Sequence, residues 1–207
     1  IENQLIKFAK LAFRRPPMDG ELKPIIEMVR AKLEEGLSPL ESLQLGFQTI
    51  LSAPGFLYLK EGEGELDDHT LATRLSYFLW SSMPDKILMD LAAMGKLRDP
   101  AELDRQVERM LRDRRAAAFV RHFPSTWLRM DKLGKMPPSR GDYQFYKNLR
   151  VEPLLMKQVT TYFGDILKRN GRIEELIDGD YTYMNQTLAK WIYRREGIRG
   201  ERLRKVK

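Results

Sequence analysis

Apolar residues along this chain recur at steps of three and four, the spacing that gathers them on one face of a helix. No five-residue window alternates well enough to predict a strand. Leu5, Ile6, Phe8, Ala9, Leu11 and Ala12 predict a first helix that stops at Arg14-Arg15-Pro16-Pro17, and Asp19 is placed to cap a second one running to Glu35-Gly36. Ser38-Pro39-Leu40-Glu41 reads as a capping box with proline at the first helical position, where its missing N–H costs nothing. The helix it opens carries Leu40, Leu43, Phe47, Ile50 and Leu51 on one side and ends before Pro54-Gly55; a Gly/Glu linker, Glu61–Glu65, follows.

Beyond the linker, Asp67 or Asp68 caps an aromatic helix whose Leu71, Leu75, Phe78 and Leu79 form the core-facing stripe, with Ala72 and Ser76 small enough to admit a close neighbour. Ser81-Ser82-Met83-Pro84-Asp85 ends it, and Asp85 opens a short helix bearing Ile87, Leu88, Leu91 and Ala92, closed by Gly95. Asp99-Pro100-Ala101-Glu102 repeats the cap-plus-proline signal ahead of Leu103, Val107, Met110 and Leu111. Asp113 begins another helix, with Ala116, Phe119, Val120, Phe123 and Trp127 on one side and Pro124 set to kink or end it. Lys135–Gly141, with two prolines, reads as an irregular connection. Pro153 then starts a helix with Leu155, Val159, Tyr162, Phe163, Ile166 and Leu167 that Asn170-Gly171 stops; a short Ile173–Ile177 turn and an Asn185-capped helix through Tyr193 complete the pattern. The pattern predicts an all-α, irregular multi-helix bundle of about nine or ten helices. The linker divides it into an N-terminal helical subdomain, residues 1–60, and a main helical domain, residues 66–207, expected to continue past Lys207.

Composition narrows the chemistry more than the fold. With 43% hydrophobic and 31% charged residues in 207, the chain has the balance of a folded domain. The lack of cysteine excludes disulfides, thiolate zinc sites, covalent c-type haem attachment and a cysteine nucleophile within these residues. No Gly-rich phosphate loop, His-x-x-x-His or Gly-x-Ser-x-Gly occurs, and the longest apolar runs, such as Tyr77–Trp80, are far short of the roughly 20 residues that span a bilayer. The net charge of +7 is concentrated at one end: Arg194–Lys207 holds seven basic residues against Glu196 and Glu201, contributing +5. Such a strip reads as a solvated face or a docking strip ahead of a groove reader for nucleic acid. The opening IENQLIKFAKLAF and the closing RLRKVK read as the edges of a segment of a longer protein.

The order Phe8, Ala12-Phe13-Arg14-Arg15-Pro16, then Ile50-Leu51-Ser52-Ala53-Pro54-Gly55-Phe56-Leu57-Tyr58, then Leu71 to Asp85 with its RLSYFLWSSMPD block, resembles the large planctomycete-type proteins of unknown function that carry a cytochrome c domain. The likeness continues through Arg109-Met110-Leu111, Phe123 with Trp127-Leu128, and Asp180 to Asn185 with Leu188-Ala189. Val159 departs from it, standing where an acidic residue is expected, and so does Trp191–Gly197, where a short His-Tyr-Gly is expected. The resemblance implies a periplasmic or secreted protein with haem c in another, N-terminal domain. No cofactor is expected in this segment, whose partners would be other domains of the parent chain or a protein partner.

The strongest polar pattern is Arg74, Tyr77, Ser81 and Asp85, which a continuous helix would align beside the aromatic face. That stripe could clamp a carboxylate or a sugar hydroxyl, but an Arg paired to lock the fold is the more ordinary reading. His69 and His122 are the only histidines and read as solvated or capping groups. Trp80, Trp127 and Trp191 read as core anchors ahead of a stacking platform. Glu102, Arg105, Glu108, Arg109 and Arg112 form ladders on a solvated face. With no catalytic or metal-ligating set in view, the leading expectation is a non-catalytic scaffold or docking module. The alternatives are a substrate-orienting module of a haem-dependent redox enzyme and nucleic-acid binding through Arg194–Lys207.

Overall fold

Four helix starts are closed by their own side chains. Ser38 Oγ accepts the Glu41 N–H at 3.3 Å while the Glu41 carboxylate accepts the Ser38 N–H at 3.0 Å. Asp67, Asp85 and Asp99 accept the N–H groups of Thr70, Leu88 and Glu102 at 2.6, 3.1 and 2.9 Å. The computed structural model of the chain describes residues 1–59, 64–135, 146 and 148–207. The expected linker at 61–63 and the connection at 136–141 therefore lie outside the described residues.

The fold is all-α, with ten α-helices among the described residues: α1 Glu2–Ala12, α2 Lys23–Glu34, α3 Pro39–Ser52, α4 Pro54–Leu57, α5 Asp68–Trp80, α6 Lys86–Ala93, α7 Pro100–Arg112, α8 Ala117–Trp127, α9 Val151–Lys168 and α10 Glu175–Asp178. They fall into two compact units, Ile1–Ala116 and Ala117–Lys207.

In the N-terminal unit, α1, α2 and α3 bury Leu5, Ala9, Phe13, Ile25, Val29 and Ile50 together. Each of the larger side chains among them contributes roughly 1.5–3 kcal/mol on leaving water. The buried line of α3 keeps the expected Ile50, with Leu43 and Phe47 packed against the core, but Leu40 is 65% exposed and Ser42 and Gly46 face inward as well. A Cβ on Gly46 would lie 2.5 Å from Leu5 Cδ2 and 3.0 Å from Val29 Cγ2, so the helices approach more closely there than a larger residue permits. In helix α5, Leu79 is buried and Ala72 and Ser76 are sealed as expected, joined by Thr73 and Trp80, whereas Phe78 is exposed. Helix α2 begins at Lys23 with no side-chain cap, so Asp19 does not start it. Glu21, just ahead, binds Arg15 and the Met18 N–H instead. A one-turn helix, α4, occupies the Pro54-Gly55 stretch expected to be a stop.

In the C-terminal unit, α8 runs past Pro124 to Trp127. Its Phe119 and Phe123 rings each lie 5.5 Å from Phe163 of α9. Helix α9 ends at Lys168, followed by Asn170 at φ +51° and a Gly171 N–H that returns to the Ile166 carbonyl at 2.8 Å. Asn185 caps the next turn through the Leu188 N–H at 2.9 Å, and that turn continues as a π-helix over Leu188–Ile192. Two strands that the sequence pattern does not predict, β1 Thr182–Met184 and β2 Arg204–Val206, pair antiparallel with Tyr183 opposite Lys205. At three residues each they are too short to show alternation. They help enclose a core of Val151, Met184, Leu188 and Ala189.

Candidate functional site

Helix α5 ends at Trp80, and Ser81 turns into the left-handed region at φ +52°, so the stripe Arg74, Tyr77, Ser81 and Asp85 does not lie on one helix. Arg74 is exposed and lines a small cavity. Tyr77 is half-exposed, with the Arg14 guanidinium 5.9 Å from its ring centre. Asp85 belongs to a different neighbourhood, as the cap of α6. Its carboxylate accepts Arg109 Nη1 at 2.8 Å and Arg109 Nη2 at 3.3 Å, with Arg115 Nη2 at 3.6 Å.

These groups clasp Trp80. The indole is buried and donates to the Met110 carbonyl at 3.0 Å; Arg115 Cζ sits 3.4 Å and Arg109 Cζ 5.5 Å from its ring centre. Arg115 is held in turn by Asp113 at 2.7 Å. Burial pushes the Asp85 carboxyl up, but the Arg109 hydrogen bonds, the Leu88 N–H and the two guanidinium charges outweigh it and leave it below the usual carboxylate range. Asp113 is lowered as well, chiefly by its hydrogen bond from the Arg115 side chain. A carboxylate held ionised between two arginines makes a poor general base or acid at neutral pH, so the cluster reads as a closure of the fold. Arg109 thereby leaves the solvated ladder in which its spacing places it, while Arg105–Glu102 and Arg112–Glu108 keep to that ladder.

His122 is exposed. His69 is half-buried on α5, with a sealed Nδ1 that has no hydrogen-bond partner among the described residues, which matches neither the solvated nor the capping role that its position suggests. Of the tryptophans, Trp80 is the core anchor; Trp127 at 52% exposure and Trp191 at 41% are not.

Trp127 instead lines a groove of about 260 Å³ within the C-terminal unit, together with Leu128, Tyr162, Phe163, Ile177 and Tyr193. Ile177 is 88% exposed. Gln158, buried among these rings, donates to Thr182 Oγ1 at 3.1 Å and to the Tyr193 hydroxyl at 2.9 Å. Tyr162 donates to the Glu175 carbonyl. Burial raises the Tyr162 hydroxyl's pKa, helped by the neighbouring Tyr181 and Glu175, so it stays a neutral donor. Tyr181 bridges Asp165 and Arg169, and Lys205 packs 3.6 Å from its ring centre while reaching Asp165 at 3.2 Å. Lys207 pairs with Asp180 at 3.2 Å, and Arg195 donates to the Lys207 carbonyl. Part of the basic end segment is therefore bound to the unit's own acids and carbonyls. Among the described residues no group of three or more His, Asp or Glu side chains is placed to hold a metal ion, and no helix is long and apolar enough to cross a membrane.

A helical chain with this domain order matches two family models. Residues 66–193 match PSD4, a protein of unknown function (DUF1592), and residues 1–61 match PSD5, a protein of unknown function (DUF1595). The chain belongs to the PSD4 (DUF1592) family, with the PSD5-like match lying ahead of it in the same polypeptide. No curated protein and no solved structure matches it.

Proposed function

We propose that this chain is a non-catalytic helical module of a larger extracytoplasmic, haem-c-associated protein of the planctomycete type, and that it docks a neighbouring domain or a partner subunit through the groove of its C-terminal unit. The observation that carries the reading is the aromatic and aliphatic lining of that groove, with Trp127 and Ile177 held at the surface. Exposed apolar clusters of this kind are typical of surfaces that another protein covers. Asp85, Asp113 and Arg115, all with shifted ionisation, bind one another around Trp80, so their charges are spent on the fold. The extracytoplasmic setting and the haem-bearing neighbour rest on the family resemblance alone.

The test is a calorimetric titration of the chain with the haem domain of its parent protein, comparing the native sequence with Ile177→Asp and Trp127→Ala. Binding weakened at least tenfold by either substitution is expected. Equal affinity for all three would exclude the groove as the docking surface, and turnover of a saccharide or redox substrate by the chain alone would overturn the non-catalytic assignment.

A further inference from the structure

The groove of the C-terminal unit is apolar in its walls, yet three polar groups in it lack a full set of partners. Gln158 is only 5% exposed, and its Nε2 is tied to Thr182 Oγ1 and the Tyr193 hydroxyl at 3.1 and 2.9 Å. The other end of that amide, Oε1, has no partner among the described residues and is not sealed from solvent; Gln158 lines the groove, so this end faces it. The Tyr193 hydroxyl accepts from Gln158 and keeps its own proton to donate. The Trp127 indole N–H, on a ring 52% exposed, has no acceptor among the described residues. Tyr193 is held in place by the π-turn over Leu188–Ile192, its N–H reaching the Leu188 carbonyl at 3.0 Å, and turns of this kind recur at functional sites.

Two forms of polypeptide fit an apolar groove. A helix satisfies its backbone N–H and C=O groups internally and would leave these three groups unanswered, whereas an extended segment carries a free N–H and a free C=O at each non-proline residue. One peptide group offers both a donor and an acceptor, so it answers the open end of Gln158 and the Tyr193 proton together. At about 260 Å³ the groove is smaller than the roughly 300–1,000 Å³ of a pocket that encloses a drug-sized ligand, which favours a short stretch of chain lying across it. Charge sets the flanks. Residues 117–207 hold 19 Lys and Arg against 10 Asp and Glu, a net +9, while residues 1–116 hold 17 against 19, a net −2. Glu175 on the groove wall is neutralised by Arg169. Arg194, next to Tyr193, and Arg121, one turn ahead of Pro124 on the same face of α8, are exposed with no ion-pair partner among the described residues. Given the docking reading, on which this rests, we propose that the partner enters the groove as an extended apolar peptide segment flanked by acidic residues, with Gln158 and Tyr193 hydrogen-bonding one of its backbone peptide groups.

The probe is a short synthetic peptide with a Val-Leu-Val-Leu centre between paired aspartates, titrated calorimetrically into the intact chain at low salt. It is compared with the same peptide carrying lysine flanks, with a version N-methylated at its central amides, and with cellopentaose. Saturable binding of the acidic peptide is expected, weakened at least tenfold by N-methylation and by the lysine flanks. Tyr193→Phe keeps the ring, loses the proton and should weaken binding roughly threefold to tenfold. Arg194→Glu should narrow the preference for acidic flanks, as should added salt. Gln158→Leu should weaken binding as Tyr193→Phe does; should that variant fail to fold, Tyr193→Phe decides alone. No binding of the acidic peptide, equal binding of its N-methylated version, unchanged affinity in Tyr193→Phe, or tighter binding of cellopentaose would each overturn the proposal. Haem-domain binding that Ile177→Asp weakens, with no peptide bound, removes the extended form and leaves the docking surface standing; absence of both removes the docking reading as well.

Discussion

The two units use the same kinds of residue to opposite ends. In residues 1–116, a tryptophan is sealed beneath two arginines with its N–H satisfied, and α3, α5, α6 and α7 each begin at a side-chain cap. In residues 117–207, α9 starts from Arg150 in the left-handed region with no side-chain cap, Trp127 lies half in solvent, and the aromatic rings border a groove. The first arrangement closes helix ends and pairs the polar groups around its buried indole, which gives stiffness. The second leaves apolar area uncovered, which gives a surface for contact at a cost in local closure.

That contrast is most sharply tested at the two tryptophans. Trp80→Ala removes a buried ring, an indole hydrogen bond and the face on which two guanidiniums rest; a loss of about 3–5 kcal/mol is expected in denaturant unfolding. Trp127→Ala should cost under about 1 kcal/mol. Equal losses would erase the distinction between the units. Next in size, Gly46→Val should destabilise the first unit by about 1–3 kcal/mol, because its side chain would enter space held by Leu5 and Val29. A melting temperature unchanged by that substitution would mean that α3 has room to shift.

A more modest loss is expected at Asp85, where pH supplies the readout. Its carboxyl lies lower in the folded than in the unfolded chain, where about 3.9 is usual, so its stabilisation is full above that value and is lost as pH falls through the folded one. Asp85→Asn should cost about 1–2 kcal/mol at neutral pH and flatten the decline of melting temperature between roughly pH 5 and 3. An unaltered acid slope would place the acid sensitivity elsewhere.

Much of the helical layout is legible in the sequence because the caps are local. A Ser or Asp followed by proline or by a Glu three residues on satisfies N–H groups within its own turn, as at Ser38 and Asp99. Which of Asp67 and Asp68 does so was not legible. Asp67 takes the cap, while Asp68 accepts the N–H groups of Leu97 and Arg98, about 30 residues away. The inward faces of α3 and α5 are only partly found by following large apolar residues: Ile50 and Leu79 are buried and Ala72 and Ser76 admit close approach as expected, but Leu40 and Phe78 turn outward while Ser42 and Gly46 line the inner face of α3. The sites are harder still. The spacing that puts Arg109 on a solvated ladder carries no sign of Asp85, 24 residues earlier, and nothing near Arg14 shows that its side chain will be enclosed by Phe56 and Tyr77. The groove depends on side chains from α8 to Tyr193 meeting in space, a relation that periodicity within one helix does not contain.

The three-residue ladder between β1 and β2 bears on where this module can be cut. The family match stops at residue 193, yet Ile198, Leu203 and Val206 rest on Met184 and its neighbours, and the Gln186 N–H reaches across to the Gly200 carbonyl. A recombinant version shortened to the matched span would present an open strand edge beside uncovered methionine and leucine, a recipe for self-association during expression. Workers trimming relatives of this protein by family boundaries alone should retain the following dozen or so positions.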